Sequence, residues 1–129
     1  MRTARTDLLD NRYRLVRRLE GGGVAEVWLA QDARLGRPVA IKRLYPQYTE
    51  NREFLARLEQ EARAVARLDD PRIVRIYDVV IRPNERAYLV LEYVPGRDLR
   101  AYLAEACPLP SSTALKLLRE IARGVAAAH

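Results

Sequence analysis

The alternation of apolar and polar residues predicts three consecutive strands in the first third of the chain. Residues 13–19 alternate apolar with basic side chains, and residues 24–30 and 39–42 form short apolar runs of high strand propensity. Glycines at 21–23 separate the first two runs, and a second turn over residues 34–38 precedes the third. We therefore expect an antiparallel three-stranded unit that places the glycine loop near the end of the third strand.

Helical spacing replaces this alternation between Asn51 and Leu68. Apolar residues recur there every three or four positions and form one stripe: Phe54, Leu58, Ala62, Val65 and Leu68. Glu61 lies on the same stripe, where an acid costs free energy unless a cation meets it. Because the preceding strand ends in Lys42, we predict an ion pair between Lys42 and Glu61. The alternative, that Glu61 sits at the edge of the stripe and reaches solvent, remains open from the spacing alone.

Two more strands follow the predicted helix. Pro71 ends the helical region, and apolar runs over residues 73–80 and 87–91 flank a turn at residues 83–85. Proline and glycine at 95–96 then break the second of these strands and form a connector.

Two helices complete the pattern. A small helix begins near Asp98, and Ser111 or Ser112 caps a last helix. The apolar stripe of this last helix consists of Ala114, Leu117, Leu118, Ile121, Ala122, Val125 and Ala128. The chain stops inside this pattern with no glycine or proline stop signal, as we expect of a cut chain.

The composition is that of a globular protein. A chain of 129 residues, 49% hydrophobic and 31% charged, supports one domain of ordinary size. The net charge is +6, but the 21 arginines are scattered without an aromatic-interleaved stripe, so we expect no nucleic-acid partner. The single cysteine, Cys107, excludes an internal disulfide. We expect no membrane segment and a cytoplasmic chain, because no signal-peptide core and no run of about 18 apolar residues is present.

The run Val39-Ala40-Ile41-Lys42 is the strongest candidate for chemistry. In a strand, Val39 and Ile41 share one face, and Ala40 and Lys42 share the other. A small side chain beside a point charge suits a planar ring that carries an anion, and the nearby glycines let backbone N–H groups approach a phosphate. Each feature alone also fits a plainer explanation, namely a strand lysine that reaches solvent and an ordinary flexible turn.

Together these features resemble, in order, the N-terminal lobe of the protein kinases: the glycine loop, Val27, the V-A-I-K run, Glu61 and the connector Glu92-Tyr93-Val94. The stretches most similar to bacterial serine/threonine kinases are residues 14–16, 23–30 and 68–74.

The resemblance begins at about Tyr13 and implies an α+β fold. The expected architecture is a five-stranded antiparallel sheet plus one helix, followed by the first two helices of a truncated helical C-lobe. It implies an N-terminal tail over residues 1–12, a kinase N-lobe with glycine loop and hinge over residues 13–94, and the start of the C-lobe over residues 95–129.

The glycine loop departs from the family pattern. G-x-G-x-x-G-x-V falls on residues 20–27, and only Gly22 matches a motif glycine, since Glu20 and Ala25 stand at the other two positions. Ala25 is a mild change. Glu20 puts an acid near the place where a triphosphate would lie, which weakens the expected grip on phosphate.

The resemblance also implies the site residues. Two residues receive catalytic roles: Lys42 contacts the α- and β-phosphates of ATP, and Glu61 orients Lys42. Val27 and Ala40 cover the adenine ring. Leu91 gates the back of the pocket, the backbone of Glu92 and Val94 forms hydrogen bonds to adenine, and Asp98 lies near the ribose. The other implied ATP-binding residues are those of the loop region: Leu19, Gly21, Gly22, Gly23, Val24 and Ala25.

The implied function is the ATP-binding half of a serine/threonine protein kinase. ATP and Mg²⁺ are the implied cofactors, but the catalytic Asp of H-R-D and the metal-binding Asp of D-F-G are not in this sequence, so we expect no metal ligands and no activity from these 129 residues alone. The expected partners are a protein substrate with Ser or Thr and the missing C-lobe. The alternatives are a pseudokinase or regulatory nucleotide-binding module, and a basic interaction domain without nucleotide.

Overall fold

The computed structural model describes residues 8–128, except for the side chain of Glu20. Residues 1–7 and 129 lie outside the described residues, and with them most of the predicted tail over residues 1–12. The elements in chain order are β1 (Leu8–Leu9), β2 (Tyr13–Gly21), β3 (Ala25–Asp32), β4 (Arg37–Leu44), α1 (Pro46–Thr49), α2 (Arg52–Ala66), β5 (Ile76–Val80), β6 (Tyr88–Glu92), α3 (Leu99–Ala106) and α4 (Ser111–Ala128).

All strands pair antiparallel in one sheet with the order β1-β2-β3-β4-β6-β5. The predicted α+β fold is confirmed, but the sheet has six strands rather than five. The additional strand is β1, which a tight turn folds back onto β2. Asp10 and Asn11 in this turn have φ values of 52° and 54°, and the N–H of Arg12 donates to the carbonyl of Leu9 at 2.9 Å. Asp and Asn enter this left-handed region more readily than most residues, so the Asp10-Asn11 pair is the overlooked sequence signal for the hairpin.

Two further details differ from the sequence expectation. The strand expected over residues 73–80 begins only at Ile76. Before it, the Asp70 carboxylate accepts the N–H of Arg72 at 2.8 Å, a local bond that favours a turn over a strand. The expected single helix of the sheet region is preceded by the short helix α1, which starts at Pro46, a position where the missing proline N–H costs nothing.

The sheet buries an apolar cluster on each face. The first cluster consists of Tyr13, Leu15, Ala30, Val39, Ile41, Tyr88 and Val90. The second consists of Leu44, Ala62, Ala87 and Leu89. The alternating residue numbers within each strand reflect the two-residue period of strand side chains.

The helix expected over residues 51–68 is found as α2. The side chain of Asn51 accepts the N–H of Phe54 at 3.0 Å and caps the first turn. Ala62 is 3% exposed, and Phe54 and Leu58 pack beside it against the second cluster. The helix therefore covers the second face of the sheet.

The chain forms two compact units. The first, which we call the sheet unit, contains the six strands with α1 and α2, up to Arg67 and again over Arg75–Tyr93. The second, the helical unit, contains Leu68–Val74 and the chain from Val94 onward, with α3 and α4.

The helical unit contains the two helices that the sequence predicts, but they bury little. The Asp98 carboxylate accepts the N–H of Ala101 at 2.8 Å and caps α3. Ser111 is already the first residue of α4, so neither predicted serine precedes the helix as a cap. No residue of α3 or of α4 within the described range is buried, and Leu118 on the predicted stripe is 63% exposed.

Candidate functional site

The strand β4 carries Lys42 and Ala40 on the second face of the sheet. Across β3, β4 and β6 the register aligns two triplets, Val27–Lys42–Leu89 and Leu29–Ala40–Leu91. Because aligned residues of antiparallel strands point to the same side, Val27, Ala40 and Lys42 share one face. Val39 and Ile41 are fully buried in the first cluster, which confirms the predicted alternation. The shared face thus has a nearly buried methyl group at Ala40 next to the exposed Lys42.

The glycine loop joins β2 to β3 in a tight turn. The N–H of Gly22 donates to the carbonyl of Ala25 at 2.7 Å. Neither Gly22 nor Gly23 has the left-handed backbone that favours glycine. A Cβ at Gly23 would meet nothing within 4 Å, and one at Gly22 would make an ordinary 3.6 Å contact. The hairpin itself therefore does not require glycine at these two positions, and their small size leaves open space for a ligand.

The predicted ion pair between Lys42 and Glu61 is not formed in the described chain. Both side chains are exposed, and the salt bridges of the sheet unit do not include this pair. The helix α2 turns Ala62 toward the sheet, four residues after Leu58, and Glu61 falls at the edge of the stripe. Of the two arrangements left open by the spacing, the solvent-reaching one is found here.

The other predicted loop residues lie at the ends of β2 and β3. Gly21 is the last residue of β2, and Leu19 and Val24 are partly buried. The backbone carbonyl of Val24 accepts a hydrogen bond of 3.0 Å from the N–H of Tyr45, the residue just before α1. Ala25 is 1% exposed, so its methyl group packs inside the sheet unit.

The predicted connector residues divide between the two units. Leu91 and Glu92 end β6 in the sheet unit, and the N–H of Glu92 donates to the carbonyl of Arg75 at 2.9 Å. The carboxylate of Glu92 accepts the N–H of Arg75 at 3.0 Å. The N–H of Glu92 is therefore already occupied within the sheet unit. Val94, 59% exposed, and Asp98, which caps α3, belong to the helical unit.

The sequence analysis did not predict the buried pair of Arg12 and Asp32 in the sheet unit. Asp32 is 1% exposed and accepts two hydrogen bonds of 2.9 Å from the guanidinium of Arg12. Its carboxylate also accepts the backbone N–H groups of Arg34 and Leu35 at 2.9 and 3.2 Å. These bonds, above all those from Arg12, lower the pKa of Asp32 to about 2. The sequence signal for this carboxylate was the spacing of Asp32 four residues before Gly36, because an Asp at the start of a turn bonds the backbone of that turn. Gly36 has a φ of 66° in the turn.

Two further properties concern ligands and membranes. Within residues 8–128, no three His, Cys, Asp or Glu side chains come together in a way that could hold a metal ion. None of the helices in this range is both long and apolar enough to cross a membrane.

Comparison with known proteins gives consistent matches. The sequence family of the protein kinase domain matches residues 13–129 of this chain. Serine/threonine-protein kinase PrkC of Bacillus subtilis is 40% identical over 94% of the chain, and PknL of Mycobacterium tuberculosis is 39% identical over 95% of it. The chain spans only 18% and 30% of the length of these two relatives.

Solved structures agree with the sequence matches. The crystal structure of the Mycobacterium tuberculosis PknI kinase domain superposes with a TM-score of 0.78 at 27% identity. It covers 95% of this chain, which in turn covers 50% of that domain. The matched part corresponds to the N-lobe of that kinase domain and the first helices of its C-lobe.

Proposed function

Because the chain belongs to the protein kinase domain family, we propose that it forms the ATP-binding half of a serine/threonine protein kinase. The whole protein would transfer the γ-phosphate of ATP to a protein hydroxyl. One observation carries the proposal: Val27, Ala40 and Lys42 share one face of the sheet, next to a loop whose glycines its own fold does not require. This face offers an apolar surface and an ammonium group, as adenine and a phosphate need.

The chain's residues would bind and orient the nucleotide. Val27 and Ala40 would cover the adenine ring, with Leu91 at the back and the carbonyl of Glu92 accepting from the base. Lys42 would contact the α- and β-phosphates under the N–H groups of the glycine loop. In the helical unit, Val94 would add a backbone contact to the base, and Asp98 would lie near the ribose while it caps α3.

Glu61 would act only after α2 shifts. In this family the lysine and the helix glutamate must be paired for transfer. Since Lys42 and Glu61 are both exposed and unpaired with each other here, we propose that pairing requires a rotation of α2 that brings Glu61 over the sheet. The observed arrangement would then be an inactive one.

The remaining catalytic groups would come from a helical lobe. Mg²⁺, when bound, neutralises charge on the phosphates in this family. The residues of this chain contribute binding and orientation only, because the H-R-D and D-F-G motifs are not in the sequence. Cytoplasmic location and a role in signal transduction follow as proposals from the same family assignment.

A pseudokinase, or regulatory nucleotide-binding module, is the second candidate. Glu20 favours it, since an acid replaces the first motif glycine of the phosphate-binding loop. The two candidates differ in a longer protein that contains the catalytic lobe: a kinase transfers phosphate, whereas a pseudokinase binds nucleotide without transfer.

Calorimetric titration of the chain with ATP tests the binding proposal. We expect a dissociation constant on the order of 1 mM, because the sheet unit supplies one face of the adenine pocket. Lys42→Met should weaken binding about tenfold, since a charge-assisted contact to phosphate is lost. Lys116→Met is the matched control, because Lys116 is the only other lysine and lies exposed on α4.

Equal ATP affinity for the parent and Lys42→Met would contradict the proposal. Glu20→Gly tests the second candidate, and we expect tighter binding when the motif glycine is restored. Phosphate transfer by the longer protein, abolished by Lys42→Met, would decide for the kinase.

A further inference from the structure

A second cationic site lies on the opposite face of the sheet. Glu26 on β3 is aligned with Arg43 on β4, directly after Lys42, so Arg43 points away from the nucleotide face. Arg86, just before β6, donates from Nε to the carbonyl of Leu44 at 2.8 Å. We call Glu26, Arg43 and Arg86 the corner cluster.

The corner cluster carries an excess positive charge. Glu26 is the only carboxylate of the cluster, and its Oε1 already accepts the indole N–H of Trp28 at 3.0 Å. Nη2 of Arg86 lies 3.5 Å from the same oxygen, close enough for an ionic contact but without hydrogen-bond geometry. One acid therefore contacts Arg86 and the indole and lies across the strands from Arg43, and the net charge of the cluster is +1.

Two donor nitrogens of the cluster are buried without a hydrogen-bond acceptor. Nε of Arg43 and Nη2 of Arg86 have no solvent exposure and no hydrogen bond. Burial lowers the pKa of Arg43, and the nearby Arg86 lowers it further, while Glu26 opposes them only in part. A buried donor without an acceptor costs free energy, and this cost is larger for a charged group. The cluster as found is thus short of one acceptor that carries negative charge.

We propose that the corner cluster binds a phosphate oxyanion between Arg43 and Arg86. Two guanidinium groups offer paired donors in a fixed plane, the arrangement that recognises tetrahedral oxyanions. The phosphate is either inorganic or the monoester of a phosphorylated Ser or Thr side chain, which supplies about two negative charges and three acceptor oxygens. This site does not depend on nucleotide binding, because Lys42 and Arg43 lie on opposite faces of β4.

Arginine side-chain NMR of the full 129-residue chain tests the proposal directly. Inorganic phosphate is titrated at constant ionic strength, with chloride as the reference anion. We expect the Nε–H signal of Arg43 to shift with saturation, with a midpoint on the order of 1 mM. A linear shift, or the same shift with chloride, would overturn the proposal.

A second arm separates the two sources of phosphate. A short phosphothreonine peptide is compared with its unphosphorylated form. Saturation by the phosphorylated peptide at lower concentration than by inorganic phosphate identifies a modified side chain as the ligand. Saturation by inorganic phosphate alone identifies the free ion. Saturation by neither would reject the site.

Two variants with opposite expected effects on phosphate affinity distinguish binding from a merely structural role. Arg43→Gln should weaken phosphate binding about tenfold, because one charge-assisted contact is lost. Glu26→Gln should tighten it severalfold, since the amide oxygen still accepts from Trp28 while the competing charge is gone. Arg63→Gln removes the same charge from an exposed arginine with 69% side-chain exposure and should leave binding unchanged.

Equal weakening by Arg63→Gln would show that overall charge, not the cluster, attracts phosphate, and would overturn the proposal. If Arg43→Gln fails to fold, Glu26→Gln still decides, because unchanged or weaker binding in that variant contradicts the assigned site.

Discussion

The two units of the chain differ in where their apolar side chains lie. The sheet unit buries apolar residues on both faces of its sheet, and Val39 and Ile41 reach zero exposure. In the helical unit, α3 and α4 contain no buried residue within the described range, and Leu118 and Val125 are 63% and 52% exposed. A unit with a closed core is stabilised mainly by that core, whereas a helix with an exposed apolar stripe is not.

The same difference appears in the charged side chains. The sheet unit holds a buried carboxylate in four hydrogen bonds, two of them from Arg12 to Asp32. The ion pair within α4, between Arg123 and Glu120, is exposed on both sides at 55% and 62%. Exposed pairs contribute little to folding, and removing one partner of a buried pair costs far more. Stability should therefore be concentrated in the sheet unit, and substitutions in the two units should separate clearly.

The largest expected difference is between two isoleucines. Ile41→Ala in the first cluster should lower the free energy of unfolding by about 3–4 kcal/mol, because it leaves a cavity in a closed core. Ile121→Ala on α4, where the parent side chain is 46% exposed, should lower it by less than about 1 kcal/mol. Urea denaturation followed by circular dichroism measures both. Similar losses for the two variants would refute the contrast.

A smaller effect is expected at Asp32. Asp32→Asn keeps an oxygen acceptor for the turn but removes the charge that faces Arg12, and it should cost about 2 kcal/mol. Glu59→Gln is the control, because its partner Arg63 is exposed, and it should cost less than about 0.5 kcal/mol.

The pH dependence of the free energy of unfolding tests the same carboxylate independently. The pKa of Asp32 is about 2 in the folded chain, below its ordinary value of 3.8. A lowered pKa means that the stabilisation is present above the unfolded value of 3.8 and is lost as the pH falls through the folded value of about 2. Asp32→Asn should therefore show a smaller loss of stability between pH 4 and pH 2 than the parent. An identical acid dependence in both proteins would exclude Asp32 as its cause.

The sequence predicted most of the sheet unit because its signals are local. The alternation around Ala40 and Lys42 follows the two-residue period of a strand, which the structure reproduces. The glycine loop is visible as three glycines between two predicted strands. The position of Glu61 was not decided by spacing, since a residue three positions after Leu58 sits at the border between the buried and exposed sides of a helix.

The corner cluster was out of reach for a different reason. Glu26 and Arg43 are aligned only through the register of β3 and β4, and Arg86, just before β6, joins them from more than forty positions later. Such contacts depend on the pairing of distant segments, and no period in the sequence reports it. The short strand β1 was missed although its turn residues are visible, because a two-residue strand has no alternation to detect.

The smallest effect on stability, and the sharpest test of the helical unit, is expected at Leu118. Leu118→Gln removes an apolar side chain that is already 63% exposed, so the free energy of unfolding should change by less than about 0.5 kcal/mol. The stripe on α4 nevertheless presents Leu118, Ile121 and Val125 together, and contiguous exposed apolar surface favours association. The parent chain should therefore self-associate at high concentration in sedimentation velocity runs, and Leu118→Gln should shift it toward monomer. Lys116→Gln, two residues earlier on the same helix, changes a polar position and should not. A parent chain that stays monomeric at high concentration would mean that the stripe is no association surface, and the contrast between the two units would then concern folding alone.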